Sequence, residues 1–314
     1  MAIDLTPENI QAAVEAAHRE ARSVSGGRNA SYIPYLASVD PELLGVSVVT
    51  VQGEVFKAGD ADVPFAIESI SKVFTLALVM ESIGPRALRS KVGANPTGMP
   101  FNSILALELA KGKPLSPMVN AGAIATASLV EGADVESRWQ RVLDNQSKFA
   151  GRPIALSAEV NESEQGSNFH NRAIAWLLYC ADTCYSDPME ALDVYTRQCS
   201  TLITTVDLAT MGATLGNKGV NPVTNERVIS AANSPHILAE MTMEGLYTSS
   251  GDFAYDVGLP GKSGVGGGVL AVAPGKLAVA TFSPPLDDGG NSVRGQAAVK
   301  AIADRLRLNL FLGE

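Results

Sequence analysis

The sequence predicts an α+β fold, with one antiparallel sheet drawn from both ends of the chain, flanked by helices, and a helical lobe inserted between its strands. Three observations predict it. Strand-like runs occur early, at 45–59, and again late, at 267–282. The stretch from about 100 to 240 carries helical periodicity instead. No linker, low-complexity segment or fixed-period repeat divides the chain. Terminal strands that meet in one sheet leave the middle to fold as a second layer of helices. The expected division is a single domain over 1–314, with a sheet-bearing lobe of about 1–67 plus 226–314 and a helical lobe of about 68–225.

The elements follow in order. Thr6 and Pro7 open a first helix whose apolar positions are Ile10, Val14, Ala17, Ala21 and Val24, and Gly26-Gly27 closes it. The run from Gly45 to Gly59 reads as two strands around Gln52-Gly53. An apolar helix containing Ser69 follows and stops at Gly84-Pro85. Further helices are expected over 135–149, 169–180, 188–200, 206–215 and 230–243. Strands return from Gly267 to Pro274 and from Leu277 to Phe282, with a turn at Gly275. A last helix is expected over about 292–310.

Composition narrows the function classes. The chain has 314 residues, 46% hydrophobic and 18% charged, which is globular rather than disordered. A net charge of −9 disfavours nucleic acid and anionic membrane as main partners. No apolar run reaches the roughly 18 residues of a membrane span. The N-terminal Met-Ala-Ile-Asp-Leu-Thr-Pro-Glu has neither a basic n-region nor an apolar h-region, so a secretory signal is not expected. Three cysteines, Cys180, Cys184 and Cys199, suit a reducing cytoplasm. Cys180 and Cys184 are expected on one helix face, but no further soft ligands lie near, and buried thiols are the better reading than a metal site. The three histidines, His18, His170 and His236, form no metal-binding spacing, and no Gly-x-Ser-x-Gly turn accompanies them.

Ser69 and Lys72 stand three apart at the head of an apolar helix, with no charge after Lys72 until Glu81. Positions three apart on a helix are neighbours, with roughly 5–6 Å between Cβ atoms. A serine hydroxyl is a weak nucleophile until a base takes its proton. Lysine is such a base only when neutral, and its free pKa is about 10.4. Apolar surroundings and the positive end of a helix dipole both disfavour the ammonium. The bland alternative is a solvated lysine, but positions 70–80 leave it little polar face.

The segment from Val257 to Val269 carries a second signal, Gly261-Lys-Ser-Gly-Val-Gly-Gly-Gly268. A phosphate loop needs Gly-x-x-x-x-Gly-Lys-Ser/Thr, and here the first glycine position is Asp256. The segment also runs into a strand, whereas a phosphate loop opens a helix. A dinucleotide fingerprint fails for the same reason. The remaining reading places Lys262, Ser263 and Gly264 on an edge strand facing the Ser69 helix. Glycines there permit close approach of substrate and backbone. A strand amide opposite the serine's own amide forms an oxyanion hole.

With both motifs placed, the chain resembles the bacterial-type glutaminase family. The resemblance runs through Glu68-Ser-Ile-Ser-Lys-Val-Phe74, Pro117-Met-Val-Asn-Ala-Gly-Ala-Ile124, Asn161-Glu-Ser-Glu164 and Asn171-Arg-Ala-Ile-Ala175. It continues through Tyr195-Thr-Arg-Gln-Cys-Ser200, Gly245-Leu-Tyr-Thr-Ser-Ser-Gly-Asp-Phe-Ala254 and Gly258 to Gly268. It covers most of the chain, in family order. It implies a fold similar to serine β-lactamases and penicillin-binding proteins. It implies hydrolysis of L-glutamine to L-glutamate and ammonia through a γ-glutamyl ester, without metal or organic cofactor, by a homodimer or homotetramer.

Carried over by residue, the resemblance makes Ser69 the nucleophile and a substrate contact, and Lys72 its base. Lys262 joins the catalytic set. Asn120, Glu164, Asn171, Tyr195, Tyr247 and Val265 match glutamine-binding positions. Glutamine presents an ammonium, a carboxylate and an amide. Glu164 suits the first, and Asn120 and Asn171 suit the oxygens. The Val265 amide suits the oxyanion, and Tyr195 or Tyr247 suits proton delivery to ammonia, the choice between them remaining open. Without the resemblance, Asn120 reads as a helix cap, Glu164 as part of a solvated acidic face, and Tyr195 as core. Gly166-Ser-Asn-Phe-His170 departs from the family's usual Thr-Gly and arginine, and Gly261 replaces its commoner alanine. Competing classes are a β-lactamase or D,D-peptidase, a catalytically silent glutamine-binding protein, and a P-loop NTPase.

Overall fold

The computed structural model describes residues 5–312. Met1 to Asp4, part of the segment read above for a missing signal sequence, lie outside the described residues. The chain begins with α1 (Pro7–Arg22) and α2 (Pro34–Ser38), then β1 (Gly45–Thr50), β2 (Val55–Gly59) and β3 (Phe65–Ala66). A 3-10 turn, Glu68–Ile70, leads into α3 (Ser71–Ile83). Next come α4 (Pro85–Val92), α5 (Ile104–Leu109), α6 (Asn120–Ala127), α7 (Val135–Ala150), β4 (Ala155–Leu156), α8 (Ala158–Ser167) and α9 (Phe169–Cys180). They are followed by α10 (Pro188–Cys199), β5 (Thr201–Ile203), α11 (Thr205–Gly216), α12 (Ser234–Glu244) and α13 (Ser250–Asp256). The chain closes with β6 (Gly261–Ser263), β7 (Gly268–Ala273), β8 (Leu277–Phe282) and α14 (Val293–Leu306).

The main sheet has the order β2-β1-β8-β7-β6, with every neighbouring pair antiparallel. Strands from both chain ends therefore meet at its centre, where Gly45 pairs Phe282 and Phe282 pairs Gly268. Side chains alternate between two buried faces, as the pleat requires. Val46, Val48, Val269, Ala271 and Val279 pack with α1 and α14. Val49, Leu270, Val272, Ala278 and Ala280 join the core built around α3 and α11. That double coverage explains why β7 and β8 read as continuous apolar runs. Helix α11 lies within the inserted stretch of sequence yet packs directly on the sheet.

Helix α3 runs through the second core. Val73, Phe74, Leu76 and Ala77 are all buried, and Phe74 meets Phe149 of α7 with ring centroids 5.0 Å apart. A helix apolar on all sides is a buried helix, which removes the solvated face that a chance lysine would need.

The structure adjusts several boundaries. Thr6 does cap α1, accepting from Asn9 N at 3.3 Å, but the helix ends at Arg22 and Val24 is exposed beyond it. The segment expected to begin a helix at 230 starts at Ser234, because Glu81 captures the Ser230 amide at 2.9 Å and the Asn233 side chain. The last helix stops at Leu306, where Arg307 takes a left-handed conformation. Helix α9 ends at Cys180, so Cys184 lies in the loop beyond it and the two share no helix face; Cys180 is exposed and Cys184 half-buried, so neither is the buried thiol expected. A small second sheet, β3-β5-β4, was not expected, and its strands are only 2 or 3 residues long. No helix among the described residues is long and apolar enough to cross a membrane.

Candidate active site

Ser69 sits in the 3-10 turn that joins β3 to α3, so the small sheet anchors one side of it and the buried helix the other. Glu68, just before it, has φ +50°. A non-glycine residue held there signals a backbone conformation imposed by its surroundings. Lys72 follows one turn later, and its Nζ lies 2.5 Å from Ser69 Oγ. Lys72 is almost wholly buried, and burial pushes its pKa down to about 8. The nearby Cys199, Glu68 and Glu164 oppose that shift electrostatically.

Asn120, the first residue of α6, is not a capping residue. Its Oδ1 accepts from Lys72 Nζ at 3.0 Å and from Tyr195 Oη at 3.1 Å. Its Nδ2 donates to Asn171 Oδ1 at 2.9 Å. One side chain thus ties together Lys72, a tyrosine from α10 and an asparagine from α9. Tyr195 is buried, as a core reading requires, but its hydroxyl belongs to this network.

The two tyrosines differ. Tyr195 has committed its hydroxyl to Asn120. The buried Tyr247 hydroxyl faces Ser69 but meets no partner at full hydrogen-bond geometry. Its backbone is left-handed, φ +57°, and its ring packs against Phe101 with centroids 4.8 Å apart. Burial raises both phenols, so each keeps its proton near neutral pH.

Lys262 on edge strand β6 is fully buried, but it does not contact Ser69. Its Nζ donates to the carbonyls of Gly245 at 2.8 Å and Ser263 at 2.7 Å, and it lies 4.1 Å from the Tyr247 ring centroid. Burial, then repulsion from Lys72, lowers its pKa well below that of free lysine. Lys262 thus lies beneath the Tyr247 ring, with its Nζ hydrogen bonds directed to backbone carbonyls rather than to Ser69. The strand runs into a turn and then β7, not into a helix, which removes the phosphate-loop reading.

That turn carries Val265. Gly264 N bonds Gly268 O at 3.0 Å and Gly267 N bonds Gly264 O at 2.9 Å, and neither bond uses the Val265 amide. A Cβ on Gly266 would lie 2.5 Å from the Ala66 carbonyl oxygen. The glycines therefore let the turn press against the β3 segment leading to Ser69.

Ser69, Asn120, Glu164, Asn171, Tyr195 and Val265 line one cleft, with Tyr32, Glu68 and Phe101 beside them. Glu164, on α8, is partly buried rather than on a fully solvated face. Burial holds its carboxyl above the ordinary range, and Glu68 lies beside it. Glu68 is more deeply buried and is raised further, by burial first and by Glu164 second. The 166–170 segment that departs from the family is firmly held. Asn168 accepts from Arg172 Nε at 2.8 Å, and His170 Nε2 lies 2.6 Å from Asn102 O.

Sequence reasoning passed over two buried carboxyls here. Glu68 was read only as part of the Ser69 motif. Glu244 accepts from the Thr97 amide at 2.6 Å and supplies negative charge opposite Lys262. Cys199 lines the cleft as well, but burial pushes its thiol up to about 12, making it a poor nucleophile. No cluster of metal-ligating side chains occurs among the described residues.

A buried Ser-x-x-Lys pair between an antiparallel sheet and a helical layer defines the architecture of the serine β-lactamase-like hydrolases. Residues 27–311 match the family model described as Glutaminase. The glutaminase of Brucella canis is 67% identical over 302 residues, spanning 96% of this chain and 95% of that protein. That of Mycobacterium ulcerans is 65% identical, spanning 96% of this chain and 94% of that protein. Among solved structures, the probable glutaminase ybaS superposes with a TM-score of 0.97 at 61% identity, over 98% of this chain and 100% of the other. Mglu in its tris and glutamate form gives 0.92 at 36% identity, over 98% and 69%. The chain belongs to the glutaminase family.

Proposed function

We propose that this protein hydrolyses L-glutamine to L-glutamate and ammonia through an acyl-enzyme on Ser69. The single observation that carries the serine mechanism is the buried Ser69–Lys72 contact at 2.5 Å, with the lysine pKa lowered by burial. Lys72 accepts the Ser69 proton as Oγ attacks the γ-carboxamide carbon. The developing oxyanion is received by the amides of Ser69 and Val265. The carbon–nitrogen bond then breaks, and ammonia leaves with a proton delivered by Tyr247, whose unpaired hydroxyl faces the nucleophile. Tyr247 recovers its proton from Lys72. Water, deprotonated by the same base, cleaves the γ-glutamyl ester and returns Ser69.

Glu164 pairs the substrate ammonium in this reading, and Asn171 donates to a substrate oxygen. Asn120 aims Lys72 and presents the edge of its amide to the cleft. No cofactor enters the scheme. Three reduced cysteines support a cytoplasmic setting. Assembly as a homodimer or homotetramer is supported by the resemblance and by exposed Leu105, Leu109, Phe169 and Trp176 on α5 and α9. Light scattering of the purified protein checks the assembly.

Ammonia release from L-glutamine by wild type, Ser69→Ala and Lys72→Ala tests the reaction. Activity in wild type, lost in both variants with unchanged unfolding temperatures, is expected. Full activity in either variant excludes the assigned role. Turnover of a chromogenic β-lactam without glutamine hydrolysis would replace this reading with the β-lactamase one.

A further inference from the structure

Glu68 is an acid without an obvious employer. It precedes the nucleophile, is 3% exposed, and has an Oε1 with no hydrogen-bond partner. The chain makes room for it. A Cβ on Gly264 would lie 3.3 Å from Glu68 Cβ, and one on Gly266 would lie 3.2 Å from Glu68 Cγ. Its backbone is held left-handed. The glycine turn and the positive φ together aim the carboxyl into the cleft, where Glu164 meets it from α8.

Neither carboxyl forms an ion pair with arginine or lysine within 4.0 Å among the described residues. Two adjacent carboxylates in a partly dry site repel, and sharing one proton relieves the repulsion. An alkylammonium delivered by a ligand relieves it in another way, by supplying a positive charge with its own N–H donors.

We propose that Glu68 and Glu164 form one proton-sharing carboxyl pair that receives the α-ammonium of the substrate, and that binding of this ammonium expels the shared proton to solvent. The proposal rests on the assignment of Glu164 to the ammonium made above. It gives Glu68 a role of its own, as a specificity-determining group that requires an α-amino substrate. The ionisable groups facing the pair are Lys72 from α3, Tyr195 and Cys199 from α10, Tyr247, and Tyr32 from the segment before α2. Of these, only Lys72 is brought as low as about 8, so the test must separate it from the pair.

The full-length Ser69→Ala protein is titrated with L-glutamine by calorimetry in MES and in ACES, buffers of different ionisation enthalpy, from pH 5.5 to 7.5. About one proton released per glutamine is expected, with affinity rising up to about tenfold per pH unit where the pair is protonated. Glutaramate, which is glutamine without its ammonium, should bind far more weakly and release no proton. In the Ser69→Ala background, Glu68→Gln should abolish the release and flatten the pH dependence, leaving any contribution of Lys72 visible alone.

The proposal is overturned if Ser69→Ala binds glutamine with no proton release, or if Glu68→Gln releases as much. Adding Glu164→Gln separates the two levels. Unchanged affinity overturns the assignment of Glu164 to the ammonium. Weakened affinity, with release absent from the Ser69→Ala parent, overturns only the shared proton. The two-buffer measurement on the Ser69→Ala parent stands even if Glu68→Gln does not fold.

Discussion

The side-chain oxygen of Asn120 accepts a hydrogen bond from Lys72 Nζ at 3.0 Å. A neutral amine has two N–H bonds and one lone pair. With one N–H fixed on Asn120, the lone pair is free to turn toward Ser69 Oγ, 2.5 Å away. In the proposed mechanism the asparagine therefore aims the base as well as lining the cleft.

This relationship sets a pH dependence. Burial lowers Lys72 to about 8, so the amine is protonated and idle below that pH and neutral above it. Activity, as kcat/KM, should rise with pH through about 8 and then level. Asn120→Asp puts a carboxylate beside the amine, favours the ammonium and moves the rise to higher pH by on the order of one unit or more. At pH 7 the variant should retain no more than about a tenth of wild-type activity. A rise that stays at the wild-type pH in Asn120→Asp would show that this limb does not belong to Lys72.

Tyr195 and Tyr247 should separate kinetically. Removing the Tyr247 hydroxyl removes a proton donor at the leaving group, a contribution of about 10²–10⁴ in kcat. Removing the Tyr195 hydroxyl loosens Asn120 through the lost 3.1 Å bond, an indirect effect expected to be nearer tenfold. Steady-state kinetics of Tyr247→Phe and Tyr195→Phe, with matched unfolding temperatures, check the order. The reverse order would assign the proton to Tyr195.

Lys262→Met tests support from below. The substitution takes the Nζ donor from the carbonyls of Gly245 and Ser263, leaving Gly245 O with the Ser263 amide at 3.2 Å, and removes the amine 4.1 Å from the Tyr247 ring centroid. A cost of about 1–3 kcal/mol in stability and a loss in kcat are expected together, since the buried Ser263 carbonyl left without its Nζ donor carries a desolvation penalty. Denaturant unfolding beside the kinetics measures both. A loss in kcat at unchanged stability would instead mark Lys262 as acting on the reaction directly.

Much of this site was legible because its chemistry is local. Ser69 and Lys72 declare themselves by helical spacing, and the apolar run after them declares the burial that lowers the lysine pKa. Sheet strands β1, β7 and β8 were legible for a related reason, since long apolar runs bounded by glycine leave few alternatives. Strands β3, β4 and β5 were not, because 2 or 3 residues carry no period. The contacts made by Asn120, Glu68 and Lys262 join distant parts of the chain. Asn120 reaches Lys72, Asn171 and Tyr195 only after α3, α6, α9 and α10 have packed. Nothing in the residues around Glu68 announces that Glu164 will meet it.

The glycines of the 264–268 turn were read as permitting close approach, and Gly266 supplies a direct check. A methyl group there would meet the Ala66 carbonyl oxygen at 2.5 Å, a backbone atom unable to rotate away. Gly266→Ala should push the Val265 amide off its position, lower kcat, and cost about 1–3 kcal/mol through overpacking. Thermal unfolding and kcat should fall together. An active, fully stable variant would mean the turn tolerates displacement.

A pH effect on stability should arise away from the cleft, at Glu240 on α12. Its side chain is buried, its Oε2 lacks a hydrogen-bond partner, and burial followed by the charge of Glu244 raises its pKa to about 7, against the opposing pull of Arg89. The unfolded chain releases this proton near pH 4.3, about the ordinary glutamate value. Between those two pH values the folded protein binds more protons than the unfolded one, so this group's contribution to stability falls as pH rises. Above about 7 the folded protein bears the full cost of a buried carboxylate. Glu240→Gln removes that ionisation. At pH 8 it should stabilise by about 1–3 kcal/mol, raising Tm by about 1–5 °C. At pH 4 both forms are neutral and the difference should nearly vanish. Calorimetric melting curves of both proteins at the two pH values decide it, and an equal shift at pH 4 and pH 8 would trace the gain to packing rather than to charge.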